Sequence, residues 1–600
     1  MSSKDHKRRR WLLTLLAAGL VLWLATEALR FSLEKVYTVD EFQYAHGAWK
    51  MAHGEVIYRD FFEHHFPLIH QVMALVWLAL DDENPHNIDV LRLAMLPFLA
   101  LTIFGAAWLN RRWARGTGWV TAIVLLATIN FQTLATEIRP DPMALAFFLA
   151  ALAVLGSRRL GAGARGFLSG LLLTVSVWGS QKVLYFGLVF PAAFVADLVS
   201  FRRTPARRSY LLGHPLSFAA GSLAVLLPIS LYLLITGSLD DWFHWCLSWS
   251  FVHQEHYPSV SWVTNFLGYT KDHLALYPFA ALGVWQTARA LRRTLDSHRG
   301  ADPDAASPDV LLLGALVTTT VSFVWQTAPY LYSLLPLTAM LGIFAARGVV
   351  WSFRALRALS HRRAVVATFG TTLLVLLLVG ELSHVRIGLA RLHALQNGPQ
   401  HELLQQISEM TAPDDPVYNI TGNQVTRPSV HFFYFTDAVV RSLLADRLAR
   451  EIPQAILETG CTVYTHDPRF ESLPESLKAF LLHHFQPLSP ELWVWGQRYV
   501  PAQGALEDGF LAVREARYYL SPPEALGQGR LHIDGRPVTS PVIELGRGLH
   551  TVEYRGPAPE LYLLWLPRDE KRRPAIGRGL HGPSEVPGGR GLPAGVEPSL

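Results

Sequence analysis

The stretch WLLTLLAAGLVLWLATEAL, residues 11–29, stands between the basic head MSSKDHKRRR and the polar RFSLEKVYTVDEFQYAH of residues 30–46. Its length is what an α-helix needs to cross the hydrocarbon core of a bilayer. A basic head before an apolar run is also how a secretory signal begins. No small-x-small cleavage site follows, however, and Thr26-Glu27 and Leu29-Arg30-Phe31 fit that role poorly. The stretch therefore predicts an uncleaved first transmembrane helix, and the rest of the chain is read outward from it.

Of 600 residues, 50% are hydrophobic and 17% charged, against about 25% charged in an ordinary soluble domain. Ten further runs of low charge follow, at about 88–109, 117–135, 142–156, 166–180, 183–200, 211–236, 272–288, 309–325, 331–346 and 364–382. The fold class expected is a polytopic α-helical membrane protein of about eleven spans. Pro67–Leu80 is too short to span and reads as a helix on the membrane surface. With the N-terminus cytoplasmic, the basic loops at Arg111-Arg112, Arg158-Arg159, Arg202–Arg208, Arg289–Arg299 and Arg347–Arg363 all fall inside, as the positive-inside rule requires. Counting Pro67–Leu80 as a span would invert every later loop. The basic residues thus serve topology, so the net charge of +5 does not indicate nucleic acid. Cys246 and Cys461 are too few for a disulfide framework or a cysteine metal site.

The spans predict a membrane domain over 1–385. Beyond it the chain turns more polar and rich in Pro and Gly. An α/β domain is expected over 386–505, with helical patterning at His401–Met410 and Phe435–Leu457 and strands at Pro416–Ile420, Cys461–Thr465 and Leu492–Trp495. A β-sandwich-like module is expected over 506–572, its strands near Phe510–Val513, Arg517–Leu520, Arg530–Ile533, Val542–Leu545 and His550–Tyr554. Asp534-Gly535 supplies a hairpin turn. Residues 573–600 read as a disordered tail. The topology puts everything after about 385 outside the cytoplasm.

The first outer loop is the most informative polar stretch. Asp40-Glu41 follows the first span directly, then Gly54-x-x-x-Tyr58-x-Asp60, then Phe62-Glu63-His64-His65-Phe66-Pro67. Neighbouring residues on a helix point about 100° apart, so Asp40 and Glu41 would serve different partners. A carboxylate at the membrane surface suits a general base acting on a hydroxyl; it equally suits an acidic cap on an interfacial helix. Glu137-Ile-Arg139-Pro140-Asp141 occupies a very short turn between the third and fourth spans. Ionisable groups at membrane depth are costly and usually functional, although an Arg139–Asp141 pair could simply neutralise a helical hairpin. Lys182, after Gly179-Ser-Gln, could meet a lipid phosphate or snorkel to the interface. Trp242, Trp245 and Trp249 recur at helical spacing, as interfacial anchors or as a platform for a sugar.

These outer-loop motifs together resemble the GT-C glycosyltransferases, with the protein O-mannosyltransferase-like enzymes and the aminoarabinose lipid A transferases nearest. The resemblance covers roughly residues 10–385. It implies a multi-pass protein of the bacterial inner membrane that takes a sugar from a polyprenyl-phosphate carrier on the outer face, without a nucleotide or any other required cofactor. It makes Asp40 the base and Glu41 a supporting carboxylate, and matches Glu137 and Asp141 to a second acidic motif. Arg139 and Lys182 become phosphate-binding residues; Tyr58, Glu63, His64, Tyr330 and Tyr332 become candidates for the substrate pocket. Where the aminoarabinose transferases carry Glu-Lys-Pro, this chain has His64, with Pro67 two residues later than in that pattern. Glu63, His64 and His65, with His253 and His256 as distant partners, form a weak candidate for a divalent metal.

The expected chemistry is an inverting single displacement. The acceptor hydroxyl, deprotonated by Asp40, attacks the anomeric carbon, and the phosphate leaves toward Arg139 or Lys182. The acceptor could be a glycolipid, a polysaccharide or a protein. Rival readings are a transporter or flippase of lipid-linked glycans, which would also carry charges at helix breaks, and a non-catalytic glycan-binding scaffold.

Overall fold

Helix α1 (Ser3–Glu34) exposes Trp11, Leu12, Leu13, Leu15 and Leu16 along its first half. Such a face is stable only where a bilayer covers it. The structure, a computed structural model, describes residues 3–567 apart from 158, 201–213, 258–259, 271–272, 298–307, 327–328, 529 and most of 361–395. Among the described residues five helices are long and apolar enough to cross a membrane: Trp11–Glu34, Asn87–Asn110, Pro215–Ile235, Pro308–Trp325 and Leu331–Leu359. The other expected spans in this part of the chain are helical too, but fall short of that standard by length or composition. Most of the eleventh, 364–382, and all of 573–600 lie outside the described residues.

Two spans differ in form from the expectation. The run 117–135 is not one rod: α6 (Thr117–Ala127) and α7 (Ile129–Ala135) meet at 78°. Thr128 sits between them with extended backbone, φ −87° and ψ 106°, and this break delivers the Glu137–Asp141 turn. The helix Leu335–Ser360 runs past the expected end at 346 and carries Arg347 into the bundle, 1% exposed. Arg347 therefore does not belong to a basic loop. Its guanidinium donates to Asn110 Oδ1 at 2.6 Å, Thr287 Oγ1 at 2.9 Å and Asp309 Oδ1 at 2.8 Å, which compensates its burial.

Pro67–Leu80 forms α3 (Leu68–Trp77), with one face packed on α2 (Val39–Ala52) through His70, Met73 and Trp77. Leu75 and Leu78 stay exposed. Gly47 of α2 sits where a Cβ would come within 2.7 Å of His70 and 3.0 Å of the Tyr434 hydroxyl. Only glycine lets α2, α3 and the tail converge there.

The tail is built on two sheets. The larger runs β1 (Val417–Tyr418), β2 (Val463–Thr465), β4 (Leu492–Tyr499), β11 (Leu561–Leu566), β6 (Ala516–Ser521), β9 (Val542–Leu545), with β3 (Phe485–Pro487) also on β4. The smaller runs β5 (Ala505–Ala512), β10 (Gly548–Arg555), β7 (Arg530–Ile533), β8 (Arg536–Pro537). Among the described strand pairs, β1 with β2 is parallel and the others are antiparallel. Asp534 and Gly535, both at positive φ, make the expected two-residue hairpin. The boundary expected at 505/506 needs correction. β11 pairs antiparallel with β4, Leu561 opposite Tyr499, so one sheet crosses it. The apolar LYLLWL of β11, buried at every position, carries no period-2 signal and was not anticipated as a strand.

The tail docks on the loop that follows the first span. His46 bonds the Val425 carbonyl and the Ser429 hydroxyl, each at 2.7 Å; Phe62 N–H donates to Phe432 O at 3.0 Å. Trp245 rests on Phe62, Phe432 and Phe433, ring centroids 5.1, 6.0 and 5.9 Å away. The tryptophans of 242–249 are thus packing residues joining loop, bundle and tail in one core.

Candidate active site

The break between α6 and α7, the start of α2 and the turn before the short helix α10 (Val183–Phe186) bring the expected charged residues to one place. Thr38 caps α2 with a capping box: its hydroxyl accepts from Glu41 N–H, and the Glu41 carboxylate accepts from Thr38 N–H at 2.9 Å. That box turns Glu41 inward and leaves Asp40 facing out.

Glu41 is fully buried in a bidentate pair with Arg92, both bonds 2.7 Å, and also accepts from Ile138 N–H at 3.2 Å. Burial alone would raise its pKa, but Arg92 outweighs this and holds the carboxyl well below the usual carboxylate range. Glu41 therefore holds α2 against the Glu137–Asp141 turn.

Asp40 Oδ2 lies 2.6 Å from Arg139 Nη1, and Arg139 Nε lies 2.5 Å from Glu137 Oε2. Glu137 in turn takes Lys35 Nζ at 2.6 Å. Lys182 Nζ lies 3.0 Å from Asp141 Oδ1. The two groups meet on Tyr332, whose ring centroid is 4.4 Å from the Arg139 guanidinium and 4.3 Å from Lys182 Nζ. Tyr330 stacks on Tyr332 at 5.6 Å. Four cations, Lys35, Arg92, Arg139 and Lys182, thus balance four carboxylates, Asp40, Glu41, Glu137 and Asp141. Most of these side chains are sealed. Asp40 and Lys182 are the accessible ones, at 24% and 23% exposure. Burial would push the Asp40 carboxyl up, but the charges of Arg139, His65 and Arg469 outweigh it and hold the group below the usual carboxylate range.

Two expected pocket residues do not line this opening. Tyr58, at positive φ and fully buried, donates its hydroxyl to His65 O at 2.7 Å. Glu63 is also fully buried. It accepts from Gln43, from the N–H groups of His64 and His65, and from the His65 ring at 2.8 Å, with His70 Nε2 at 3.0 Å. Both are supports for the loop. His64 does reach toward the opening, its Nδ1 3.9 Å from Asp437 Oδ2 of the tail. Burial and the neighbouring His65 lower His64 to about 4, leaving it neutral near pH 7. The ligand atoms of Glu63, His64 and His65 lie close enough to hold a cation. His253 and His256 stand apart from that group, His253 packing on Trp249.

Sequence reasoning missed Lys35, Arg92 and the tail residues Asp437 and Arg469, and it singled out His65 only as a metal candidate. Arg92 carried a signal, being a lone arginine in a membrane-length run. Asp437 and Arg469 carried none, because only the docking of the tail brings them near Asp40.

No protein-family model matches the sequence, nor does any curated protein. Solved structures do. ArnT from Cupriavidus metallidurans in the apo state superposes with a TM-score of 0.52 at 14% identity, over 82% of this chain and 98% of that one. The same protein bound to undecaprenyl phosphate gives 0.53 at 14%, over 80% and 97%. The apo oligosaccharyltransferase of Archaeoglobus fulgidus gives 0.51 at 12%, over 77% and 70%. Over these lengths the chain shares the fold of those proteins, the GT-C fold.

Proposed function

We propose that this protein is a membrane glycosyltransferase that moves a sugar from a polyprenyl-phosphate donor to an acceptor hydroxyl on the outer face of the bacterial inner membrane. The observation that carries the reading is the Asp40–Arg139–Tyr332–Lys182 arrangement: an accessible, ionised carboxylate and two cations on a single ring, at the edge of an apolar bundle. The fold it shares with a protein crystallised with undecaprenyl phosphate supports a lipid-phosphate donor.

The chemistry follows from the charges. With four cations matched to four carboxylates, an incoming phosphate must compete for a cation. Lys182, the accessible one, meets it first as a point charge. Arg139 follows with its planar fork. As Arg139 turns to the phosphate, its hold on Asp40 weakens and the carboxylate becomes a better base. Asp40 then takes the acceptor proton while the hydroxyl oxygen bonds to the anomeric carbon. The phosphate leaves with the electrons of the broken C–O bond, stabilised by the same cations. One displacement inverts the anomeric centre. Tyr330, Tyr332 and His64 border the sugar, and Asp437 and Arg469 face the acceptor side.

The test is transfer from a synthetic prenyl-phosphate sugar by the purified protein in nanodiscs, with product stereochemistry read by NMR. Donor binding without transfer to glycolipid, polysaccharide or protein acceptors, together with movement of the intact donor across vesicles, would favour a flippase instead.

A further inference from the structure

We propose a divalent-metal site at the seam between the first outer loop and the tail, formed by His86, Asp89 and His401. It is separate from the charged cluster around Asp40. His86 caps α4 (Asn87–Leu93), Asp89 lies in the first turn of that helix, and His401 comes from the helix Gly398–Met410. Their ligand atoms lie within 4.8 Å of one another. Asp89 Oδ2 is 3.1 Å from His86 Nδ1 and 3.2 Å from His401 Nε2. A tetrahedral zinc ion with bonds of about 2.0–2.1 Å has ligand-to-ligand edges of about 3.3 Å, so two of the edges are already near their metal-bound length. The two imidazole rings are 4.2 Å apart at 57°, converging on the same carboxylate.

The surroundings suit such a site. Tyr37 donates its hydroxyl to the other oxygen of Asp89, Oδ1, which would fix the carboxylate once Oδ2 takes the ion. The Tyr37 hydroxyl also lies 2.6 Å from His401 Nε2, a contact the ion would replace. His86 is 59% exposed, so the cluster is open to solvent on its side. Two histidines and a carboxylate with one open position are a zinc-type donor set.

The site would act as a clasp. Gln400, next to His401, bonds both the N–H and the carbonyl of Tyr37 at 2.7 and 3.0 Å. The Arg92 guanidinium, one helical turn after Asp89, lies 4.2 Å from the centroid of the Tyr37 ring and holds Glu41. Metal binding at the seam therefore tightens the contacts that orient α2.

The experiment uses the full chain in nanodiscs, stripped with a chelator and titrated with Zn²⁺, or with Co²⁺ to read its visible absorption. We expect one equivalent of metal that raises the melting temperature. His86→Ala and His401→Ala, whose fold is checked by an unchanged melting temperature in chelator, should each weaken that equivalent by at least about 100-fold. His64→Ala should retain it. The proposal is overturned if the wild-type chain binds no metal, if His401→Ala titrates like the wild type, or if His64→Ala alone removes the bound ion.

Discussion

Replacing Asp40 by Asn separates chemistry from folding at this site. Asn keeps the size of the side chain and its oxygen can still accept from Arg139. Arg139 also retains Glu137 at 2.5 Å, so no buried cation is stranded. With Asp40 24% exposed, the loss in stability should be about 1–2 kcal/mol, the scale of a charged hydrogen bond made neutral. Loss of a general base costs about 10²–10⁴ in rate, which is about 3–5 kcal/mol of transition-state stabilisation. Turnover should therefore fall by at least about 100-fold while the protein stays folded and donor affinity holds or rises, because Arg139 no longer has the Asp40 charge to satisfy. The pH dependence provides a second check. The Asp40 carboxyl is held below its unfolded value of about 3.9. Its contribution to stability is then complete above about pH 4 and is lost as pH falls through the lower folded value. The free enzyme should show no acid limb from Asp40 between about pH 5 and 7. Sugar transfer and donor binding, measured in parallel across pH, make the assay. Near-normal turnover in Asp40→Asn would refute the base assignment, and an acid limb near pH 6 that persists in the variant would place the base elsewhere.

Lys182→Ala should weaken donor binding by about 10–100-fold, the worth of one charged contact, with a smaller effect on the rate at saturation; an equal loss in both would contradict its role in binding. Glu41→Gln should act on the fold, because it leaves Arg92 buried without its anion. A cost of about 3–5 kcal/mol is expected for such a break, visible as a lowered melting temperature even without substrate. A reporter fused after residue 400 should be active only outside the cytoplasm, and activity inside would overturn the proposed orientation. A chain ending at 503 should aggregate, because it strips β11 from β4 and exposes that edge; a soluble, stable truncation would show that the shared sheet is dispensable.

Most of the membrane architecture was legible from charge and hydropathy, because the cost of placing backbone and charge in lipid is local and large. Among the described residues the expected spans fall on helices, though 117–135 is broken at 78° and the span expected to end at 346 runs on to Ser360, and Pro67–Leu80 was recognised as too short to cross. The acidic residues Asp40 and Asp141 and the cations Arg139 and Lys182 stood out for the same reason, as charges in short turns between apolar runs. Local chemistry also predicted the Asp534-Gly535 hairpin and the strands around it, since a two-residue turn needs only its own φ values.

Tertiary structure decided what each of those residues does. Asp40 and Glu41 are adjacent and chemically alike, yet one is an accessible carboxylate and the other is sealed against Arg92, which lies 51 positions away. Glu63 and Tyr58 have the residue types of a pocket lining but are saturated by neighbours from three segments. Tyr332 joins Arg139 to Lys182 only because the helix beginning at residue 331 packs beside both turns. The tail's role was least legible of all: β11 pairs with β4 across an expected domain boundary, and His401, Asp437 and Arg469 reach the first outer loop through docking. Periodicity and charge report how a segment meets water or lipid. They do not report which distant segment supplies the partner, because that pairing is fixed by packing and by the need to match every buried charge.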